Sequence, residues 1–139
     1  MDIYRGRLID HVQIVANDIE ASKKFYRSIL SALDIPLGGE ASDHLWADEL
    51  FISSKESPAA QGQLTGRVHL ALQAHDEQSV QKFHAAGIKA GGRDNGPPGA
   101  RPYHPGYYAA FVLDPDGNNI EAVYHGPARR SGDSVKISF

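Results

Sequence analysis

Two histidines and one glutamate, His11, His69 and Glu121, offer the clearest chemistry in this chain. Each lies in a short apolar run that reads as a β-strand, where alternate residues share a face. In residues 9–14, Val12 and Ile14 share one face, and His11 and Gln13 the other. In residues 67–73, Val68, Leu70 and Leu72 oppose His69, Ala71 and Gln73. In residues 119–124, Ile120, Ala122 and Tyr124 oppose Asn119, Glu121 and Val123. Strands curving into an open barrel would bring the three polar side chains together inside it. Two neutral imidazoles and a carboxylate form a facial set for a divalent ion (Mn, Fe, Ni, Co or Zn), leaving positions open for substrate or water. One carboxylate leaves such a site net positive. It can polarise a carbonyl, hold an oxyanion or acidify bound water. The plainer alternative is a wet, metal-free pocket lined by the same residues, since polar groups on an enclosed face need partners.

Other candidates gather in residues 101–108, the densest polar-aromatic stretch, which leads into the strand before Glu121. His104 has an intrinsic pKa suited to general acid-base work. Tyr103, Tyr107 and Tyr108 can donate to substrate oxygens, and Arg101 can face the same ligand. Trp46 and His44 alternate with Leu45 and Ala47, which turns them toward the pocket from the first half. The alternative for each is aromatic packing in a loop stiffened by Pro and Gly. Arg93, Asp94 and Asn95 are weaker candidates; His75, Lys82 and His84 read as helix surface, and His125 as the pocket rim.

The elements that position these residues form a repeat. His11, Asp18 and Phe25 match His69, Asp76 and Phe83 at one ungapped offset of 58, and a Lys precedes each Phe. Each half opens with a strand, and then Asn17-Asp18 or Asp76 supplies a helix-starting cap. The first helix carries an apolar stripe of Ile19, Phe25, Tyr26, Ile29, Leu30 and Leu33, with Ser22 as a gap, ending at Pro36 and Gly38-Gly39. The second buries Val80, Phe83 and Ala86, with Gly87 as its C-terminal cap. Strands are expected at residues 37–40, 44–47 and 50–53, then at 108–113 and 119–124. Asp114-Pro115-Asp116-Gly117 forms the turn between the last two. Residues 91–106 read as a long loop bracketing at most a short strand. The fold class is α+β, two βαβββ modules in an open, curved mixed sheet. The expected organisation is a single domain over 1–139, with modules at about 7–55 and 65–125 and a loosely held polar tail at 126–139. Val135, Ile137 and Phe139 alternate as if to dock on a partner as a strand.

Bulk composition removes several classes. The net charge is −3 and no Lys/Arg cluster stands out, which argues against nucleic acid. Zero cysteines exclude disulfides, thiolate metal sites and a cysteine nucleophile, and fit a reducing cytoplasm. Residues 1–7 lack the apolar core of a secretory signal, and the longest apolar run, 107–113, is too short to span a bilayer. No Gly-rich phosphate loop, nucleophile elbow or dinucleotide fingerprint is present.

The chain resembles the vicinal oxygen chelate superfamily, which includes glyoxalase I, extradiol dioxygenases, methylmalonyl-CoA epimerase, fosfomycin-modifying transferases and bleomycin-binding proteins. The resemblance is carried by Ile9-Asp10-His11-Val12, by Asp18-Ile19-Glu20-Ala21-Ser22 leading to Phe25-Tyr26, and by Val68-His69-Leu70-Ala71. Its most specific stretch runs Phe111-Val112-Leu113-Asp114-Pro115-Asp116-Gly117-Asn118-Asn119-Ile120-Glu121. It implies paired βαβββ modules, metal ligands at His11, His69 and Glu121, and a homodimer, in which some relatives exchange modules. Departures narrow the reaction. The fourth carboxylate ligand of glyoxalase I is missing from residues 50–53, where only Glu49 lies at the strand edge. Phe111 stands where extradiol dioxygenases carry a catalytic Tyr. A full set of phosphonate-binding basic residues is not evident, and Arg129 and Arg130 read as solvated tail. The resemblance implies a metal-dependent lyase, isomerase or dioxygenase acting on a small molecule with neighbouring oxygens. The alternative is a non-catalytic sequestering protein of the bleomycin-resistance type, a group that generally lacks the complete ligand set.

Overall fold

The computed structural model describes residues 2–7, 9–60, 62–132 and 134–139, so Met1 and Asp133 of the readings above lie outside the described residues. Strand β1 (Asp2–Arg5) is followed by β2 (Val12–Ala16), α1 (Ile19–Ala32), β3 (Gly39–Ala41), β4 (His44–Ala47) and β5 (Leu50–Ser54). A short 3-10 turn (Pro58–Ala60) leads to β6 (His69–Gln73), α2 (Glu77–Lys89), β7 (Arg93–Ala100), β8 (Tyr108–Leu113), β9 (Asn119–Tyr124) and β10 (Val135–Ser138).

The two halves repeat one topology. The first sheet runs β2-β5-β4-β3 and the second β6-β9-β8-β7, with the first pair parallel and the rest antiparallel in each. The 58-residue repeat is visible in atomic terms. Asp18 caps α1 by accepting from Ala21 N at 3.1 Å, and Asp76 caps α2 by accepting from Ser79 N at 2.7 Å. Phe25 and Phe83 are both fully buried. These caps satisfy backbone donors that the first helical turn leaves without partners.

One apolar core joins both halves. It collects Ile14, Leu45 and Ile52 from the first sheet, Phe25, Tyr26 and Ile29 from α1, Val80 and Phe83 from α2, and Val112, Ile120 and Ala122 from the second sheet. Burying one such large apolar side chain contributes about 1.5–3 kcal/mol. The helices pack on each other, α1 against β4 and β5 and α2 against β7, β8 and β9, so the helix pair lies between the two sheets. Each sheet therefore has an inner face covered by helices and an outer face turned away. The halves are also clasped by a buried hydrogen bond of 2.6 Å from the Tyr26 hydroxyl to Asp114 Oδ2. Asp114 sits in the expected turn, where its Oδ1 accepts from Asp116 N and Asn118 N and Gly117 takes a φ of +85°.

Several expectations are corrected. The first helix ends at Ala32, before Pro36, because Leu33 N returns to Ile29 and Leu30 carbonyls and Asp34 turns the chain with a φ of +57°. Gly87 does not cap α2, which continues to Lys89. It is small because a Cβ there would lie 3.1 Å from Val112 Cγ1, where helix and sheet approach closely. The strand expected at 37–40 runs over Gly39–Ala41. The long loop contains an eight-residue strand, β7, whose Gly and Pro residues produce register shifts against β8. Val135 and Ile137 pair within the chain, with β10 running antiparallel to β1, which satisfies the backbone groups that the two strands turn toward each other. Among the described residues no helix is long and apolar enough to cross a membrane.

Candidate functional site

Glu121 lies at the middle of β9, opposite Phe111 on β8 and Ala71 on β6, and its side chain is only 4% exposed. A carboxylate buried this deeply needs donors. It has two. His69 Nε2 lies 2.8 Å from Oε1, and the Tyr107 hydroxyl donates to Oε2. Burial, and then the hydrogen bond and charge of Glu121, push the Tyr107 phenol up to about 12, so its proton stays on oxygen throughout the neutral range. With Tyr107 fixed as donor on Oε2, Glu121 faces the His69 ring through Oε1, toward which Nε2 is turned. The ring also meets Phe111 edge-on, with centroids 5.9 Å apart.

His11 occupies the corresponding place on the other sheet, one residue before β2. Its Nδ1 lies 2.7 Å from Asp10 Oδ1 and its ring stands edge-on to Phe51, with the side chain 60% exposed. Donation from Nδ1 to Asp10 leaves Nε2 as the free lone pair, the arrangement that prepares a histidine to bind metal. Glu49, read as lying at the strand edge, falls directly across from His11. The register pairs Val12 with Leu50, and Val12 N donates to the Glu49 carbonyl at 2.7 Å. Parallel pairing of β2 with β5, which no local pattern announces, creates this neighbour.

The expected meeting of His11, His69 and Glu121 inside one chain is corrected. Among the described residues, no group of three or more His, Cys, Asp or Glu is placed to hold one ion. His69 and Glu121 share the outer face of the second sheet, while His11 lies on the outer face of the first. The helix pair between the sheets keeps those faces apart. An imidazole nitrogen and a carboxylate oxygen 2.8 Å apart suit a divalent ion as two of its donors. One chain thus brings two of the three candidate donors together and leaves the third on the other sheet.

The aromatic candidates divide. Tyr107 donates its hydroxyl hydrogen to Glu121 Oε2, beside the His69 contact. Tyr108, on the opposite parity, packs against the core and accepts from Gln81 Nε2 of α2 at 3.1 Å, so it does not reach the site. Tyr103 is exposed and edge-on to Tyr107, with centroids 4.9 Å apart. His104 sits 5.2 Å from the Tyr107 ring, and its Nε2 lies 2.9 Å from His125 Nδ1. Its Nδ1 lies 2.9 Å from the Pro105 carbonyl, which can only accept, so the two facing nitrogens share a hydrogen. Arg101 lies 5.4 Å over Phe111 and donates to the Pro97 carbonyl at 2.7 Å. Trp46 stacks on Phe51 with centroids 5.4 Å apart, beside Arg5, and so faces His11 and not Glu121. His84, read as helix surface, lies 2.9 Å from Asp94 Oδ1.

A chain with two βαβββ halves and a His-Glu pair on the outer face of its second sheet has the architecture of the glyoxalase-like proteins. The model of the Glyoxalase/Bleomycin resistance protein/Dioxygenase superfamily matches residues 8–122, and the chain belongs to that superfamily. It is similar to a glyoxalase/bleomycin resistance protein from Albidiferax ferrireducens T118, with 32% identity, a TM-score of 0.68 and coverage of 84% of this chain and 97% of that one. A glyoxalase-related enzyme from Fulvimarina pelagi shares the fold at 18% identity and a TM-score of 0.67, over 93% of this chain and 97% of that one. So does a lactoylglutathione lyase from Agrobacterium tumefaciens, at 17% identity and a TM-score of 0.60, over 84% and 92% respectively. No curated protein matches the chain.

Proposed function

We propose that the protein is a divalent-metal-dependent enzyme acting on a small molecule that presents two neighbouring oxygens. In this reading it works as a homodimer, with His69 and Glu121 of one copy and His11 of a second holding one ion (Mn, Fe, Ni, Co or Zn). The observation that carries it is the His69-Glu121 pair, held by Tyr107 on an outward sheet face. Strands β2 and β6 are the end strands of their sheets, with no further strand beside them among the described residues, which suits side-by-side pairing of one copy's first sheet with the other's second. When bound, the metal would polarise a substrate carbonyl or stabilise an oxyanion. Glu49, across from His11 in the strand register, is a candidate for a further oxygen donor in this reading. Tyr107 keeps Glu121 oriented, and Phe111 beside His69 and Phe51 beside His11 give each imidazole an apolar neighbour. The His104-His125 pair can take or return a proton at the facing nitrogens. A cytoplasmic location accords with this reading.

A sequestering protein without catalysis is the competing reading, favoured by the incomplete donor set of one chain. Mixing variants decides between them. His11→Ala and Glu121→Ala alone should each bind no metal by calorimetry. Unfolded together and refolded as a mixture, they should regain about a quarter of the wild-type sites, because half the dimers are hybrids with one intact site of two. A refolded mixture that binds nothing, with wild type binding fully, would rule out the shared site. Wild type that binds no divalent ion would leave the sequestering reading.

A further inference from the structure

The segment between β7 and β8 folds back against the end of β9. Arg101 N donates to the Tyr107 carbonyl at 2.9 Å and Tyr107 N to the His104 carbonyl at 3.2 Å, which closes the segment into a compact turn. Two glycines let it touch the strand end. Gly106 and Gly126 have φ values of +87° and +79°, and a Cβ on Gly126 would lie 3.1 Å from Gly106 Cα. That backbone contact brings two exposed imidazoles head to head, with His104 Nε2 2.9 Å from His125 Nδ1 and the rings 22° from parallel. The Tyr107 ring stands edge-on to both, at centroid distances of 5.2 and 5.5 Å. His104 Nδ1 faces the Pro105 carbonyl at 2.9 Å, so it carries the hydrogen and leaves Nε2 as a lone pair. A backbone carbonyl on the far ring nitrogen is a support that metal-binding histidines commonly have.

We propose that His104 and His125 form a metal site of their own, separate from the His69-Glu121 pair, and that it takes Cu(II). In the metal-free chain His125 Nδ1 donates to His104 Nε2. Moving that hydrogen through solvent to His125 Nε2 keeps the imidazole neutral and turns a second lone pair toward the first. Both rings are exposed, which leaves them free to turn onto one ion. Donors bound at about 2.0–2.1 Å and meeting at a right angle are roughly 2.9 Å apart, whereas a tetrahedral angle spreads them to about 3.3–3.4 Å. The observed 2.9 Å therefore suits square-planar or tetragonal coordination, with solvent in the remaining positions. Cu(II) prefers that geometry, accepts imidazole and heads the affinity order of the first-row divalent ions. Mn(II) stands at the opposite end of that order. The site stands whether or not the proposed function does.

The test is a Cu(II) titration followed by electron paramagnetic resonance in His69→Ala/Glu121→Gln, which lacks both donors of the other pair. A bound ion with nitrogen splitting from both imidazoles is expected. Adding His104→Ala or His125→Ala to that background should weaken binding by roughly tenfold or more, since losing a ligand costs at least as much as losing its outer support. The splitting that remains should then come from a single imidazole. His44→Ala, on β4 of the first sheet, should change neither affinity nor splitting. In the wild type, Cu(II) below one equivalent should broaden the His104 and His125 ring signals in NMR spectra, a readout that needs no substitution. Equal affinity with and without the two histidines, or ring signals that stay sharp, would overturn the site. Metal binding at His69 and Glu121 is read separately, by Mn(II) calorimetry on the wild type, so either proposal can fail alone.

Discussion

Glu121 shows how one buried group constrains its neighbours. Its carboxylate is matched by a phenol on one oxygen and an imidazole on the other, so both rings are fixed before any ligand arrives. The phenol makes this measurable. Tyr107 has a folded pKa of about 12 against an ordinary value of 10.0. The folded chain therefore holds this proton more tightly than the unfolded one. The resulting stability is complete below pH 10 and is lost as pH rises through 12. Absorbance titration should show two late-ionising tyrosines in wild type, Tyr107 and the buried Tyr26, and only one in Tyr107→Phe. The unfolding free energy of Tyr107→Phe should also fall less steeply between those pH values. Loss of the hydroxyl leaves Glu121 with one donor, and metal affinity by calorimetry should drop about tenfold, the scale expected for an outer partner of a ligand.

At the scale of elements, caps and close approaches decide where helices begin and how near they come to the sheets. Asp18→Ala should lower stability by about 1 kcal/mol in urea denaturation, because the Ala21 amide loses its acceptor. The Asp76 carboxyl is held below the ordinary aspartate value by its hydrogen bonds from the Ser79 backbone and side chain. Its stabilising effect is present above pH 3.8 and is lost as pH falls through the lowered value, so the deficit of Asp76→Ala at pH 7 should vanish in acid. Gly92 marks the tightest junction. A Cβ there would lie 2.6 Å from both Phe25 Cε2 and Val112 Cγ1. Gly92→Ala should cost about 1–3 kcal/mol through overpacking, visible as a lowered Tm.

For the whole molecule, the decisive feature is the helix pair between two outward-facing sheets. It gives one core and two separated polar faces, so a site drawing on both faces requires a second copy. Tyr26 helps hold this arrangement, reaching from α1 to Asp114 in the turn of the second half. Burial, reinforced by the Asp114 charge, raises the Tyr26 phenol well above its ordinary value, so it remains a donor. Tyr26→Phe leaves Asp114 Oδ2 only the Asn118 amide, 2.9 Å away, and should cost about 1–3 kcal/mol by denaturant unfolding. Sedimentation of the wild type should give a dimer whose dissociation exposes β2 and β6 to faster amide exchange.

The repeat, the caps at Asp18 and Asp76, the turn at Asp114 and the outward parity of His69 and Glu121 were all legible along the chain. Each is a local matter of spacing, alternation or backbone satisfaction. Partnerships between strands were not. That Glu49 stands across from His11, that Tyr107 closes on Glu121 fourteen positions away, and that Tyr108 turns inward depend on register and on which face a strand presents. Local alternation assigned His11, His69 and Glu121 to polar faces, but it carried no information on how the two sheets are stacked. Packing of α1 against α2 settled that, because burying both apolar helix stripes in one core turns the polar faces outward and apart.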